Sequence, residues 1–371
     1  VAREAIVEWL RSENLLEKEE TIKHKIATAE RSGGVIEPLP KLQWFLAVNK
    51  PFIMRHSEIE GIEEGQEVTL KQVMKQAVEN KQIDISPDQF TKVYFHWINN
   101  LRDWCISRQL WFGHRIPVWY KDDGNDGEIY CGIDAPTGDG WVQDEDTLDT
   151  WFSSGLWTFS TLGWPNETAD LKTFHPTSVI APGYEILFFW VARMIMMSTY
   201  HLGQIPFHKV LIHGMVRDKQ GRKFSKSLNN GVDPIDVINN YGADALRFAL
   251  IFGGAAGNDV LFDEQKVKGM KHFGNKLWNI ARFVLANVDE SNAKNITTEP
   301  INGITEADLL ILDRLTQICA QTSHHLEEFR LHEAAQGLYD FVWKEFADIY
   351  IEASKAQLEN DDQKENTQVI L

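Results

Sequence analysis

Two lysines three apart, Lys223 and Lys226, lie in the run Gly221-Arg222-Lys223-Phe224-Ser225-Lys226-Ser227, flanked by small hydroxyl residues and a glycine. A lysine ammonium is a mobile point charge well suited to phosphate. The run closes the densest basic stretch of the chain. Between Pro206 and Ser227, Lys209, Arg217, Lys219, Arg222, Lys223 and Lys226 stand against Asp218 alone, a net charge of +5. A solvated surface loop is the competing reading of any Lys/Ser run. The spacing of the lysines and the apolar run before them favour a phosphate-binding loop.

That loop must be placed by its neighbours. Lys209–Val216 carries Val210, Leu211, Ile212, Met215 and Val216, which predicts a buried strand ending at the polar Arg217–Gly221 loop. Upstream, Val179-Ile180-Ala181 is a short apolar run stopped by Pro182-Gly183, and Glu185–Tyr200 is apolar on nearly all sides over a helical length. Apolar runs without alternation, interleaved with helices, predict an α/β fold whose parallel sheet is covered on both faces. In such sheets ligands bind beyond the carboxyl ends of the strands. Pro234–Tyr241 and Ala243–Phe252 read as short helices, with Gly242 between them as a C-cap. From Phe262 the strand signal ends. Gln265–Asp289, Glu306–Glu327 and Leu331–Ser354 are amphipathic and predict an α-helical bundle, with a frayed polar tail over Glu359–Gln368. Toward the other end, residues 1–20 and 69–83 read as helices and residues 33–45 as loop and short strand.

Composition bounds the function. The chain has 371 residues, 43% apolar and 25% charged, enough for two or three domains. Lys plus Arg number 37 against 54 Asp plus Glu, a net charge of −17, which excludes a protein that coats nucleic acid non-specifically. Cys105, Cys131 and Cys319 form no CxxC pair, and His324-His325 are adjacent rather than a turn apart, so no metal site is predicted. The longest apolar stretch, Ile186–Ala192, is too short to span a bilayer, and no signal-peptide pattern opens the chain, so a cytoplasmic protein without membrane partners is expected. Nine of the 13 tryptophans fall between Trp97 and Trp190, a density suited to core and interface packing.

Lys223-Phe224-Ser225-Lys226-Ser227 resembles the KMSKS loop of class I aminoacyl-tRNA synthetases, with Phe224 in place of methionine. His213-Gly214-Met215-Val216-Arg217-Asp218 is similar to the strand end that abuts adenine in that family. Asp103–Pro117 resembles a segment shared by the valyl, isoleucyl and leucyl enzymes. Asp149–Trp157, Thr161–Pro165 and Phe188–Met196 resemble the valyl branch. The likeness runs from about residue 1 to 355.

The resemblance implies a Rossmann-like catalytic domain and a two-step reaction. Valine is activated by ATP, arriving as its Mg2+ complex, and the valyl group passes to tRNA(Val). Positioning and charge neutralisation dominate such chemistry. Lys223 and Lys226 would neutralise the leaving pyrophosphate, with Ser225 and Ser227 shaping the loop. His213 and Met215 would flank the base. Gly183-Tyr184-Glu185 is similar to the family's Gly-x-Asp step that receives the ribose, so Gly183 and Glu185 join the ATP site, Glu185 one methylene longer than the usual aspartate. As a plain alternative, Glu185 is an acid favoured in a first helical turn. Trp151 and Ile186 match wall positions of the amino-acid pocket, with ordinary core packing as the other reading. Lys276 and Arg282, on a basic stretch with Lys266, Lys268 and Lys271, would meet tRNA phosphate, or form a solvated helix face.

The family's His-x-Gly-His motif occurs nowhere in the sequence. Arg31-Ser32-Gly33 and Val35-Ile36-Glu37-Pro38 match the exit of the family's editing insertion, although Glu30, preceded by Ala29, stands where some relatives have cysteine. The expected organisation is therefore 1–44 as the end of the editing domain, 45–261 as the second half of the catalytic domain, and 262–371 as an incomplete anticodon-binding bundle. These 371 residues alone are expected to be inactive. Editing of threonine is expected from an upstream segment, and the whole protein is expected to be monomeric. An isoleucyl enzyme, or a non-catalytic tRNA- or nucleotide-binding module, remains open as an alternative.

Overall fold

The structure is a computed structural model that describes residues 2–29, 32–121, 127–225, 228–288 and 304–371. Lys226, Ser227, Glu30, Arg31 and the connection at 291–299 lie outside them. The chain divides into two units, Val1–Trp44 and Phe45–Leu371.

In the first unit, helix Ala2–Ser12 is shorter than its sequence predicts. Asn14 takes φ 56°, a left-handed conformation that asparagine tolerates, and the amides of Leu15 and Leu16 turn back onto the Leu10 carbonyl at 2.9 and 3.1 Å. Thr28 and Val35 then form an antiparallel bridge.

The second unit is built on a parallel sheet in which Phe207–Leu211 lies between Thr177–Ile180 and Asp84–Ser86. Val210 pairs with Ile180 on one side and Ile85 on the other. Phe207, Val210 and Ile85 are almost wholly buried. Helix Leu70–Glu79 begins with a reciprocal cap, the Gln72 amide donating to Thr69 Oγ1 at 3.2 Å and the Thr69 amide to Gln72 Oε1 at 2.8 Å. It packs on the helical segment that starts at Tyr184 and ends at His201. That segment tightens into a 3₁₀ turn over Tyr184–Ile186, widens into a π turn over Leu187–Val191, and becomes α-helical over Ala192–His201. Departures of this kind often mark functional positions.

The predicted strand Lys209–Val216 is in fact two. Phe207–Leu211 ends before a bend at His213–Met215, and Val216–Arg217 then pairs in parallel with Val260–Leu261. The break has a steric cause: the Gly214 backbone crosses the backbone at Asn258 so closely that a Cβ would stand 1.8 Å from the Asn258 carbonyl oxygen. The sequence reading placed no antiparallel sheet, yet Val118–Lys121 pairs with both Glu128–Cys131 and Trp141–Gln143.

The bundle comprises Glu264–Asn287, Glu306–Glu327 and a long helix that runs from Leu331 through a wide π stretch, Phe341–Tyr350, to Leu358. The tail is not frayed. Asp361–Ile370 is a helix capped by Asn360, whose side chain accepts from the Asp362 amide at 3.0 Å. Thr367 is fully buried, and Gln368 Nε2 donates to the Asn287 carbonyl at 2.6 Å. Apart from Ile370 at its end, which packs on the bundle core, polar side chains anchor this helix, so hydrophobic periodicity does not register it. No helix among the described residues is long and apolar enough to cross a membrane.

Candidate functional site

Three chain segments meet beyond the carboxyl ends of the parallel strands. After Ile180 the chain turns at Pro182-Gly183. The His213 amide donates to the Pro182 carbonyl at 3.1 Å, and Gly183 and His213 form a parallel bridge. A Cβ on Gly183 would sit 3.2 Å from Met215 Sδ and 3.5 Å from His213 Cε1. Gly183, His213 and Met215 are thus brought together. The His213 ring donates from Nδ1 to the Gly214 carbonyl at 2.8 Å, since a carbonyl can only accept.

The basic loop is a hairpin. Arg217 and Lys223 form its antiparallel bridge, and Gly221, at φ 77°, makes the turn. Asp218 braces it from inside. Its carboxylate accepts from the amides of Gln220 and Arg222 at 3.0 and 2.8 Å, from Arg222 Nε at 2.8 Å and from Asn230 Nδ2 at 2.8 Å. The Asn230 bond and the Arg222 contacts hold the Asp218 carboxyl down at about 2, against the opposing effect of burial. Asn230 also accepts from the Ser225 amide at 2.9 Å. Phe224 packs edge-on against Phe262, an apolar anchor that suits its place in the loop. At the mouth, Lys223 forms an ion pair with Glu185, the first-turn acid of the Tyr184–Ile186 segment. The two residues expected to hold phosphate and ribose therefore face each other directly, both partly exposed. Lys226 and Ser227, expected beside them, lie outside the described residues.

Asp259 closes the arrangement. It accepts from the Met215 amide at 2.8 Å, from the Tyr184 hydroxyl at 3.2 Å and from Arg217 Nε, while Arg217 Nη2 donates to the Tyr184 hydroxyl at 3.0 Å. Sequence reading assigns no role to Asp259 or Asn230, and includes Tyr184, Arg217 and Asp218 only as members of the runs similar to the ribose step and the adenine-abutting strand end. The one local signal for Asp259 is the turn-forming Gly257-Asn258-Asp259 run, which says nothing of a partner 42 residues back at Arg217.

The apolar candidates Trp151 and Ile186 come from separate segments. Trp151 is in the first turn of helix Thr150–Gly155, capped by Asp149. Asp149 in turn accepts from Trp104 Nε1 at 3.0 Å and Arg108 Nη2 at 2.8 Å. Beside them Arg193 is buried, its guanidinium 3.9 Å from the Trp104 ring centre and 4.8 Å from that of Phe188. Burial lowers Arg193 to about 10, with Asp149 acting against it. Half-buried Trp151 stacks on Phe189, with ring centres 5.8 Å apart, and Ile186 is half-buried in the 3₁₀ turn of that same segment. Among the described residues no group of three His, Cys, Asp or Glu could hold a metal ion.

In the bundle, Lys276 is tied to Asp348 at 2.5 Å and lies 5.0 Å from the Trp343 ring centre. Arg282 is exposed. The structure thus sets one of the two expected phosphate-binding cations into an internal contact and leaves the other on the surface.

Comparison with known proteins places the chain among relatives. Residues 35–136 and 133–263 match the family model of class I tRNA synthetases (I, L, M and V), and residues 308–371 match the anticodon-binding domain of tRNA ligases. The valine–tRNA ligase of Clostridium tetani is 45% identical over 98% of this chain and 39% of its own length. That of Symbiobacterium thermophilum is 48% identical over 96% of this chain and 37% of its own. The chain therefore spans about two fifths of the length of the curated relatives it matches. Among solved structures, methionyl-tRNA synthetase of Mycobacterium tuberculosis bound to methionyl-adenylate superposes with a TM-score of 0.59 at 17% identity, covering 86% of this chain and 62% of that one. The Agrobacterium radiobacter LeuRS–tRNA–LeuAMS complex gives 0.55 at 18% identity, covering 76% and 41%. These likenesses concern the fold.

Proposed function

The chain belongs to the class I tRNA synthetases of the I, L, M and V type, and we propose that it carries the second half of the catalytic domain and the anticodon-binding bundle of a valine–tRNA ligase. In this reading residues 1–44 close the editing insertion, 45–261 form the catalytic half and 262–371 the bundle. The observation that carries it is the Lys223–Glu185 pair facing across the strand-end crevice, in a chain 43–48% identical to valine–tRNA ligases.

The reaction proposed for those positions has two steps. The valine carboxylate attacks the α-phosphorus of magnesium-bound ATP, and pyrophosphate leaves. The adenylate carbonyl is then attacked by the terminal ribose hydroxyl of tRNA(Val), and AMP leaves. Gly183 lets the nucleotide approach the backbone, and His213 and Met215 flank the base. Glu185 accepts from ribose hydroxyls. Lys223 and Lys226 neutralise charge growing on the departing pyrophosphate, and Ser225 and Ser227 shape the loop between them. Trp151 and Ile186 wall the amino acid, and Lys276 and Arg282 face tRNA phosphate. An apolar wall rejects a hydroxyl isostere poorly, a limit of about a hundredfold established for valine-activating enzymes themselves against threonine, so hydrolytic editing accompanies this function. The protein works as a cytoplasmic monomer.

The test is ATP–pyrophosphate exchange by the gene's complete product. Valine should support exchange and isoleucine should not, and a preference for isoleucine overturns the assignment. Lys226→Ala should lower turnover by about 10²–10³, or roughly 2.7–4 kcal/mol, with a smaller change in ATP affinity. Near-normal turnover would remove the loop from the mechanism.

A further inference from the structure

Two residues of the crevice each have a neighbour that reaches the same acid. Tyr184 precedes Glu185 in the 3₁₀ turn, and Arg217 is bridged to Lys223 across the hairpin. Both Tyr184 and Arg217 bond to Asp259, and to each other at 3.0 Å. The triangle Tyr184–Arg217–Asp259 is thus joined to the Glu185–Lys223 pair at both ends, by chain adjacency at Glu185 and by the hairpin bridge at Lys223.

Asp259 is itself firmly seated. The Val260 amide donates to the Met215 carbonyl at 3.0 Å and the Phe262 amide to the Arg217 carbonyl at 2.8 Å. Two glycines fix the turn before it. Gly214 crosses Asn258 at backbone contact, and a Cβ on Gly257 would stand 2.6 Å from the Phe90 ring. The Phe90 ring also stacks on Tyr184 at 6.2 Å. A firmly seated acid therefore ties Tyr184 to Arg217 beyond the point where the Gly183–His213 bridge ends the pairing of their two segments.

We infer that Asp259 is a positioning residue for the nucleotide, setting the gap between the ribose acceptor Glu185 and the phosphate ligand Lys223 through Tyr184 and Arg217. This rests on the reading of the crevice as an ATP site. The Asp259 and Arg217 side chains are 29% and 26% exposed, and a partly solvated pair adds little to stability. Its effect is on geometry, and misplacement of binding groups by about an ångström is enough to lower reactivity a hundredfold. Arg217 is held above its usual range chiefly by its bond to Asp259. Burial pushes Asp259 up, but its bonds from Met215, Arg217 and Tyr184 outweigh that and keep it ionised.

The experiment measures ATP–pyrophosphate exchange and melting temperature in the gene's complete product. Asp259→Asn should raise the KM for ATP tenfold or more while the KM for valine moves less than twofold. Tyr184→Phe, which deletes one hydroxyl and keeps the ring on Phe90, should give the same pattern at threefold or more. The double variant should be no worse than Asp259→Asn alone, because both act through one triangle. Asp259→Glu, retaining the charge, should recover part of the loss. An unchanged KM for ATP, or ATP and valine values that rise together, overturns the inference. So does full additivity of the two changes. If the wild type shows no valine-dependent exchange, the amino-acid assignment fails, and equilibrium binding of magnesium ATP to the same variants decides the role of Asp259. A wild type that binds no ATP overturns both.

Discussion

Two aspartates organise the two halves of the larger unit, and each collects a tyrosine hydroxyl, a backbone amide and a third donor. In the crevice, Asp259 takes Tyr184, the Met215 amide and Arg217, with its side chain 29% exposed. In the bundle, Asp308 takes the Tyr350 hydroxyl at 2.8 Å, the Thr305 amide at 2.9 Å and Gln357 Nε2 at 3.3 Å, and is wholly buried. All of its donors are neutral. Burial and the bond to Asp308 both raise the Tyr350 phenol, so its proton stays on the oxygen. The acceptor chemistry is the same, but water reaches one site and not the other. Where water is excluded, a lost acceptor strands its donors, and stability is at stake. Where water enters, the donors can be rehydrated, and what is lost is position.

The largest effect should therefore fall on the bundle. Asp308→Ala strands the buried Tyr350 hydroxyl and takes an acceptor from the Thr305 amide and from Gln357 Nε2, which keeps only Thr305 Oγ1 at 2.5 Å, and this should cost roughly 3–5 kcal/mol of stability. Asp259→Ala should cost about 1 kcal/mol or less. Urea unfolding of the 371-residue chain, followed by circular dichroism, compares the two directly. Equal losses would break the distinction between a structural and a positioning acid.

The same contrast governs what the sequence discloses. The parallel sheet, the helices at Pro234–Tyr241 and Ala243–Ile251 and the bundle are legible because each buries a continuous apolar set: Val210 and Phe207 in the sheet, Val267, Met270 and Phe273 in the bundle. The Lys223 loop is legible through its own local pattern. Asp259 and Asp308 are not, because nothing nearby in the sequence distinguishes an acid that bonds a tyrosine 75 or 42 residues away from one that faces solvent. The helix Asp361–Ile370 escapes for the same reason, since its anchors, Thr367 and Gln368, are polar. The bend at Gly214 is visible only once Asn258 is beside it.

Smaller effects should separate stability from function within the crevice itself. Gly214→Ala drives a Cβ into the Asn258 backbone, which cannot rotate aside, and overpacking of this kind costs about 1–3 kcal/mol. The crevice would then lose stability through backbone contact where Asp259 gives little, as thermal melting of both variants would reveal. Trp151→Ala asks the same question of the amino-acid wall. As a wall it should raise the isoleucine-to-valine exchange ratio in the gene's complete product, since excluding a methylene is worth about 1–3 kcal/mol. As core it should lower the melting temperature and leave the ratio alone. A destabilised protein with an unchanged ratio would move Trp151 out of the site.

The smallest effect is a slope rather than a loss, and it tests whether a dry polar centre in the half that carries the parallel sheet behaves like the one in the bundle. His175 is buried, its Nδ1 3.3 Å from the Thr158 carbonyl and its Nε2 3.3 Å from Ser198 Oγ, and Ser198 Oγ donates to the Gln204 carbonyl at 2.8 Å. Burial lowers its pKa below the ordinary 6.5, against the weaker opposing pull of the Thr158 bond and Glu58. Well above pH 6.5 the ring is neutral whether the chain is folded or unfolded, so it adds no pH dependence. Below it the unfolded chain takes up a proton that the folded chain refuses, so stability should fall as the pH drops, by at most about 1.4 kcal/mol per pH unit for this ring. Unfolding free energies between pH 7.5 and 5.5 measure that slope, and His175→Gln, which keeps a polar side chain and removes the titration, should flatten it. The Asp308 network contains no imidazole, so Asp308→Asn should leave the slope in that window as it is. A slope untouched by His175→Gln would mean that the Thr158 and Ser198 contacts hold the protonated ring as readily as the neutral one, and the half that carries the parallel sheet would then lack a dry polar centre of the kind the bundle has.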